Sequence, residues 1–413
     1  MKDIVRLLKS AGIYLIGNVL SKLAAFLMLP IHTAYLNPAA YGAYDATLAY
    51  ASFFGSVLYL DIWNGILRFM YDEEQPGDKL RPALAGATLF SVSSTLFCIG
   101  MLCLSQVLPL PHVGLLCLYG VMNNLQQAAG SISRGLGQRT RYMAAGVAGA
   151  VCSAVSSLLL LRAGLGVPAL YISSCLGALV ATIIQFSAIR QCPRKDIVLD
   201  PSLLRRLFIF SLPLSLNSIA YWFLTAYNRI AISRTLSDYD NGLYAIAGKF
   251  GMIVLLVTQC VQLAWQELAF ARITASPDMA RAYFSRAIAL FLCSLVAIAA
   301  ALLLAVPLVF PYMVDAAYQD ALSLVPLYLL AMLFSATCSF LASIFGALKK
   351  TNALFINMAI GAVVNVLCLH AFMEPLGAKA AALSMAAGFG VTAIAHALRL
   401  QKEGVLSFSF RKK

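Results

Sequence analysis

Long apolar runs, separated by short polar segments, recur along the whole chain. A helix needs about 20 apolar residues to cross a hydrocarbon core about 30 Å thick, and the runs are of that length. The pattern predicts an all-α integral membrane protein with 12 transmembrane helices. Numbered 1 to 12 in chain order, the runs cover residues 11–33, 41–67, 83–108, 113–133, 142–161, 165–189, 207–228, 242–265, 284–310, 322–346, 352–372 and 377–398.

The basic residues predict the orientation, because lysine and arginine are retained on the cytoplasmic side of a membrane protein. With both termini inside, Lys22 and Lys249 lie within runs, and almost all the other members of the 30 basic residues fall in inner segments. Only four fall in outer loops, namely Arg162, Arg229, Arg234 and Lys379. The asymmetry predicts that both termini are cytoplasmic.

The polar segment Arg190–Arg206, which contains Pro193 and Pro201, separates six runs from six others. We therefore expect an N-terminal six-helix lobe at residues 1–198 and a C-terminal six-helix lobe at residues 199–413. Because six is an even number, both lobes run the same way across the membrane, as a parallel repeat related by an axis along the membrane normal.

Identities at an offset of 200 residues support this repeat. Gly42 coincides with Gly242, and Tyr44 coincides with Tyr244, as does a leucine pair at 36 and 236. All of them fall in the outer loop and helix start that lead into the second run of each half. The sequence therefore predicts that Tyr44 and Tyr244 occupy equivalent places.

Composition narrows the function classes. The chain is 61% hydrophobic and only 11% charged, whereas soluble proteins carry about 25% charged residues. The net charge of +13 does not indicate nucleic-acid binding, because the charges lie in short clusters between apolar runs. The ten cysteines lie almost entirely within runs, and the four histidines are isolated. We expect no enzyme activity, no metal and no cofactor.

Lys22 is the most informative residue of run 1. It lies about 16 Å along the helix from Ala11, near the membrane centre, where a lysine costs about 2.5–3.5 kcal/mol. No acidic residue stands three or four positions away to offset this cost. A structural interpretation pairs Lys22 with Asp45 or Asp61 across a helix contact, and a functional one assigns it to a substrate anion.

Runs 1, 2, 7 and 8 carry most of the intramembrane polarity. Lys249 in run 8 has no acid in its own run, which favours a functional role. The other candidate substrate-binding residues are polar or aromatic side chains of runs 1, 2 and 7. They are Asn18, Asp61, Arg68, Asn217, Tyr221, Trp222, Asn228 and Arg229.

Two further polar lines lie on runs 4 and 11. Run 4 carries Asn123, Gln127, Ser131 and Arg134 on one helical face, and run 11 carries an equivalent line of Asn357, Gly361 and Asn365. Either line is compatible with a cavity wall, but hydrogen bonding between helices is the favoured interpretation for both.

Two segments carry a family resemblance. GNVLSKLAAFLMLPIHTAYLNPAAYGAYD resembles the first two helices of bacterial oligosaccharide flippases, the Wzx-type transporters of the multidrug/oligosaccharidyl-lipid/polysaccharide exporter superfamily. NRIAISRTLSDYDNGLYAIAGKFG resembles the seventh-to-eighth helix region of that family. The resemblance implies a V-shaped pair of lobes, with runs 1, 2, 7 and 8 lining a central cavity.

The resemblance also implies a flippase that moves a polyprenyl-diphosphate-linked oligosaccharide from the cytoplasmic to the outer leaflet, for surface polysaccharide biosynthesis. Its partners would be the lipid-linked oligosaccharide, membrane lipid and a coupling ion (H+ or Na+), in the bacterial cytoplasmic (inner) membrane. Lys22 and Lys249 would then meet the diphosphate, and the polar and aromatic side chains of runs 1 and 7 would meet sugar.

Three alternatives stay open. A multidrug or cation exporter of the same superfamily would need unpaired carboxylates at mid-membrane, whereas Asp45, Asp61 and Glu267 are expected near the membrane faces. A cell-wall lipid-precursor flippase would differ only in the sugars of its substrate. A membrane scaffold without transport is the third, and a flipping assay separates it.

The predicted orientation is tested by labelling single cysteines at positions 37 and 376 in a cysteine-free background. Both positions lie in predicted outer loops, so a membrane-impermeant thiol reagent should modify them in intact cells. Modification that requires permeabilised cells would contradict the orientation.

Overall fold

The computed structural model describes residues 22–24, 26–73, 75, 77–189, 199–275, 277–347 and 351–405. Within these ranges, the side chains of residues 260–284, 286, 346, 347, 351 and 352 are not described. The regular elements up to residue 225 are α1 (Leu29–Tyr35), α2 (Pro38–Leu58), α3 (Ile62–Asp72), α4 (Leu80–Val107), α5 (Val113–Gly135), α6 (Arg139–Arg162), α7 (Val167–Phe186) and α8 (Pro201–Thr225). They are followed by α9 (Tyr227–Thr235), α10 (Asp238–Ala275), α11 (Pro277–Met313), a 3-10 helix (Ala316–Leu324), α12 (Val325–Ala347), α13 (Thr351–Leu376) and α14 (Ala378–Lys402).

The apolar runs are mainly helical wherever the structure describes them, so the chain is an all-α membrane protein, and a layout of twelve spans is consistent with the described helices. Nine helical segments among the described residues are long and apolar enough to cross a membrane. The other three spans are run 1, which is described only from Lys22, run 2, which is divided, and run 4, whose helix α5 carries four amide side chains.

Run 2 is divided at Leu60 and Asp61, and the prediction of one helix over 41–67 is wrong. Both residues have left-handed backbone conformations, with φ of 53° and 52°, which cost about 1–2 kcal/mol each for residues other than glycine. The break leaves the Leu58 carbonyl without its helical partner, and the Ser93 hydroxyl of α4 donates to it at 2.8 Å. A polar side chain of the next helix therefore completes the backbone hydrogen bonding at the break.

Tyr59 holds the break in place from the other side. Its ring is fully buried and packs on Phe90 and Phe97 of α4, with centroid separations of 5.3 and 5.9 Å. Its hydroxyl lies 3.0 Å from the hydroxyl oxygen of Ser94. Contacts with the neighbouring helix therefore specify this break. The segment Tyr59–Asp61 contains no proline or glycine that would have predicted it.

Runs 7 and 8 extend further than predicted. Run 7 becomes α8 and α9, which together cover Pro201–Thr235. Its start is marked by Asp200, whose carboxylate accepts a 2.8 Å hydrogen bond from the Ser202 N–H; hydrogen bonds from Ser202 lower the pKa of Asp200. Run 8 becomes α10, and its first turn contains Asp238 and Asp240. The helix of Lys249 therefore does contain acids, although Asp240 lies about 14 Å along the axis from it.

The contacts divide the chain into two compact units, Met1–Ile219 and Ala220–Lys413, with the division inside α8. Most of α8, residues 201–219, belongs to the N-terminal unit, where Leu203 and Leu207 join the same buried core as Ile66. The predicted lobes 1–198 and 199–413 divide the chain before α8, in sequence order. That division as a repeat boundary stays a prediction.

Each unit contains one helix pair whose backbones touch through glycine. In the N-terminal unit a Cβ on Gly149 of α6 would lie 2.7 Å from the Gly177 carbonyl oxygen of α7. In the C-terminal unit a Cβ on Gly361 of α13 would lie 2.6 Å from the Gly388 carbonyl oxygen of α14. These pairs are runs 5 and 6 and runs 11 and 12, which are equivalent in a parallel repeat. The internal packing of the two units therefore follows the predicted repeat.

The two tyrosines matched in sequence make corresponding contacts. The Tyr44 ring lies 4.8 Å from Tyr171 of run 6, and Tyr171 lies 6.1 Å from Tyr119 of run 4. Tyr244 contacts Tyr328 of run 10 at 5.2 Å, and its hydroxyl lies 3.9 Å from the Met385 sulfur of run 12. In each unit, the tyrosine of the second run therefore contacts the sixth run, and contacts between tyrosine rings connect these helices to the fourth run.

The glycine crossing predicts a sharp difference between two alanine substitutions. Gly361→Ala should lower the free energy of unfolding by about 1–3 kcal/mol, because the new Cβ would lie 2.0 Å from the Thr392 Oγ1. Gly390→Ala is the matched control, since its Cβ would meet nothing closer than 3.9 Å. Thermal unfolding of the purified protein in detergent measures both. Equal unfolding temperatures for the two variants would show that the crossing is not tight.

Candidate functional site

A cavity of about 440 Å³ lies inside the N-terminal unit, between α2, α3, α5, α6 and α7. Its wall consists of uncharged polar groups, aromatic rings and small residues. The lining residues are Leu48, Ala51, Ser52, Gly55, Ser56, Trp63, Tyr119, Gly120, Asn123, Asn124, Gln126, Gln127, Tyr142 and Gln185. No aspartate, glutamate, lysine or arginine is among them.

The amides of α5 form one wall because they are anchored on their own helix. The Asn123 amide donates to the Tyr119 carbonyl at 2.9 Å, and the Asn124 amide donates to the Gly120 carbonyl at 2.8 Å. Asn123 also reaches the Ser174 hydroxyl of α7 at 3.5 Å. These bonds use the amide N–H groups of two residues that line the cavity. Asn123 therefore makes the predicted helix–helix bond and also lines the cavity, and Gln127 of the same line is a cavity-lining residue as well.

The other walls supply rings and a further amide. Trp63, Tyr119 and Tyr142 line the cavity with their side chains. Gln185 is 2% exposed, and its Oε1 has no hydrogen-bond partner among the described residues. A buried amide oxygen without a donor costs about 1–3 kcal/mol. The cavity therefore presents acceptors and flat rings to any molecule that enters it.

The predicted site residues of runs 1 and 2 differ in burial and in hydrogen-bond or ion-pair partners. Asn18 lies outside the described residues. Lys22 lies in a helical segment, and it is half-buried. Asp61 is 9% exposed at the α2–α3 break and accepts a hydrogen bond from the Ser218 hydroxyl of α8. Among the described residues no lysine or arginine pairs with Asp61, so the structural pairing of Lys22 with Asp61 is not observed. Arg68 is exposed and pairs with Asp72 one turn later, an arrangement that contributes little to stability.

The candidates of runs 7 and 8 fall into exposed and buried groups. Asn217 and Tyr221 are exposed, and Arg229 and Lys249 are half-buried. In the part of the chain that the structure describes, Lys249 makes no ion pair. Trp222 is 7% exposed and belongs to an aromatic cluster in which its ring lies 5.0 Å from Phe223 and 5.9 Å from Tyr227. The exposed and half-buried residues of this set are accessible to a ligand, whereas Trp222 packs within an aromatic cluster.

Asn228, one of the predicted substrate-binding residues, makes hydrogen bonds between helices. It is fully buried, and its amide donates to the Ala381 carbonyl at 2.8 Å. Its Oδ1 accepts from the Asn365 amide at 2.8 Å, and Asn365 also donates to the Phe223 carbonyl at 2.7 Å. The two amides join α9, α13, α14 and the end of α8. Together with the 2.8 Å contact between Asn357 and His396, they confirm that run 11 uses its amides for helix–helix bonding.

Comparison with known proteins identifies the family. The family described as "Polysaccharide biosynthesis protein" matches residues 7–265, more than half of the chain. This chain belongs to that family. The resemblance of runs 1, 2, 7 and 8 to the Wzx-type transporters of the multidrug/oligosaccharidyl-lipid/polysaccharide exporter superfamily is confirmed. The family and the structural neighbours are transporters and not enzymes. No curated protein sequence matches it.

Solved structures agree with the flippase fold. An inward-facing multidrug resistance MATE family transporter of the MOP superfamily matches with a TM-score of 0.74 and 17% identity, over 93% of this chain and 95% of that one. A MATE transporter in the straight conformation matches with a TM-score of 0.65 and 18% identity, over 97% and 96% of the two chains. At these identities the likeness shows the fold, so the substrate is a separate question.

Proposed function

We propose that this flippase moves a polyprenyl-diphosphate-linked oligosaccharide from the cytoplasmic to the outer leaflet of a bacterial cytoplasmic membrane, for surface polysaccharide biosynthesis. The observation that carries the proposal is the uncharged cavity of the N-terminal unit, with five amide side chains in its wall. Sugar hydroxyls are both donors and acceptors, and amides offer both functions in return. The tyrosine and tryptophan rings add flat apolar surfaces for the faces of sugar rings.

The absence of charged residues from the cavity lining distinguishes this proposal from the export of cationic drugs. A cationic drug favours a carboxylate partner, because an unpaired charge is expensive in a low-dielectric site. The cavity lining contains no carboxylate, so it suits a neutral glycan better. A cell-wall lipid precursor carries the same diphosphate and differs only in its sugars, and it stays the alternative substrate.

The diphosphate and the coupling ion have separate candidate groups. Lys249 is half-buried and has no carboxylate within ion-pair distance among the described residues, so its charge is available to a diphosphate. Lys22, half-buried in run 1, is the second candidate cation. Asp61, a nearly buried carboxylate held by the Ser218 hydroxyl, suits a coupling H+ or Na+.

The cavity is tested by Gln127→Leu, assayed for glycan export in a host whose own flippase gene is deleted. The leucine removes hydrogen bonds worth about 0.5–1.5 kcal/mol each, and the upper value corresponds to about tenfold slower export. The matched control is Gln106→Leu, an exposed amide on α4 outside the cavity, which should export normally. Surface glycan and membrane-inserted protein are measured in the same cells. Normal export by Gln127→Leu would contradict a glycan site in this cavity.

The two lysines are tested in the same host. Lys22→Ala and Lys249→Ala should leave the protein inserted and abundant but reduce export sharply, because the diphosphate loses a cation. Lys→Arg at each site should retain partial export, since the charge survives with altered geometry. Structural ion pairs would behave differently, because a stranded carboxylate would lower protein abundance together with export. Normal export by the Lys22→Ala, Lys249→Ala double variant would exclude the lysines from the anion site.

A further inference from the structure

A second set of cations lies beside the cavity, in the N-terminal unit, and none of them was among the predicted site residues. Arg134, in the last turn of α5, has its guanidinium carbon 5.2 Å from the ring centroid of Tyr142. Tyr142 is one of the rings that line the cavity. One guanidinium nitrogen donates to the Ser131 hydroxyl at 3.0 Å. The charge of Arg134 is therefore held next to the cavity wall by a ring and a hydroxyl.

Arg141 and Lys79 add positive charge to the same region. Arg141 directly precedes Tyr142 on α6 and is half-buried. Lys79 donates to the Gly135 carbonyl at 3.2 Å, and Gly135 follows Arg134 in the chain. The connection from α5 to α6 and the start of α4 thus bring three basic side chains to one end of the cavity-bearing unit.

Each of the two arginines has a guanidinium nitrogen that lacks a hydrogen-bond acceptor among the described residues. The Nε of Arg134 and the Nη1 of Arg141 are buried and have no hydrogen-bond partner among the described residues. Helix C-termini attract cations through the helix dipole, which accounts for an arginine at the end of α5. The dipole does not account for buried guanidinium N–H groups that lack an acceptor, because each one costs about 1–3 kcal/mol.

Two carboxylates of the neighbouring loop are engaged in ion pairs with other arginines. Asp72 pairs with Arg68, and Asp78 pairs with Arg81 at 3.5 Å. Neither Arg134 nor Arg141 takes part in an ion pair within the described part of the chain. Two half-buried guanidinium groups without a counterion favour an anion supplied from outside the protein, and their planar fork matches the oxygens of a phosphoryl group.

We propose that Arg134 and Arg141 form a phosphoryl-binding site at the mouth of the cavity, which receives the diphosphate of the lipid-linked oligosaccharide while its first sugars enter the amide-lined space. That the bound phosphoryl group belongs to a lipid-linked oligosaccharide rests on the proposed function. That the ligand contains a phosphoryl group rests on the two arginines alone. Under the predicted orientation this mouth faces the cytoplasm, where such a substrate is assembled. The site is a loading position, separate from the lysines of runs 1 and 8.

The test measures binding of farnesyl diphosphate to the full-length protein in phosphatidylcholine nanodiscs. Arg134→Gln and Arg141→Gln should each weaken its affinity at least about tenfold, because hydrogen bonds to charged groups contribute about 1.5–3 kcal/mol. Arg134→Lys should fall between wild type and Arg134→Gln, since the charge remains and the fork is lost. Arg139→Gln is the matched control, being an exposed arginine at the start of the same helix as Arg141, and it should bind normally.

Three outcomes would overturn the site. Equal weakening by Arg139→Gln would indicate a diffuse surface charge. Unchanged binding in the Arg134→Gln, Arg141→Gln double variant, with a monodisperse protein, would exclude the two arginines. Complete competition by phosphatidylglycerol in the nanodisc would assign the arginines to lipid headgroups instead of a diphosphate substrate.

The failure of the proposed function has a different signature. If wild-type protein binds farnesyl diphosphate through the two arginines but exports no glycan in the flippase-deleted host, the site stands and the proposed function fails. If the double variant exports glycan at the wild-type rate, the site fails and the proposed function stands.

Discussion

The constraint on which the structure depends is that a hydrocarbon solvent accepts no hydrogen bonds. Each backbone and side-chain polar group within the membrane has to be satisfied by the protein, by a ligand or by water in a cavity. This constraint makes every element of the described chain helical. It also explains why the Leu58 carbonyl at the α2–α3 break accepts a hydrogen bond from the Ser93 hydroxyl of the next helix.

The same constraint gives asparagine two different roles in the two units. In the C-terminal unit Asn228 and Asn365 bond to each other and to backbone carbonyls, so they join helices. In the N-terminal unit Asn123 and Asn124 donate to their own helix and line a cavity. Identical side chains therefore join helices in one unit and line an open space in the other, and the difference is the position of the neighbouring helix.

The placement of charge follows from the same cost. The cavity wall is neutral, which suits a glycan, while Arg134 lies beside it on the ring of Tyr142 and two lysines lie on runs 1 and 8. A lipid-linked oligosaccharide has this division in its own chemistry, with neutral sugars joined to a diphosphate. Because a charge is expensive in the membrane interior, a neutral wall separated from the basic groups would let each part of the proposed substrate meet a matching surface.

The sequence by itself determined the class of the protein, because apolar run length, basic-residue asymmetry and low charge depend only on composition and order along the chain. It also indicated the repeat, since Tyr44 and Tyr244 make corresponding contacts, and the polar lines on runs 4 and 11. Only the tertiary structure decided which of those lines is a cavity wall, because that depends on whether a partner amide or an open space faces it. It alone showed the bend at Leu60 and Asp61, which is specified by Tyr59 and Ser93 packing against another helix, and it alone brought Arg134 next to Tyr142. Contacts between residues far apart in the chain decide these features, and hydrophobic periodicity carries no information about them.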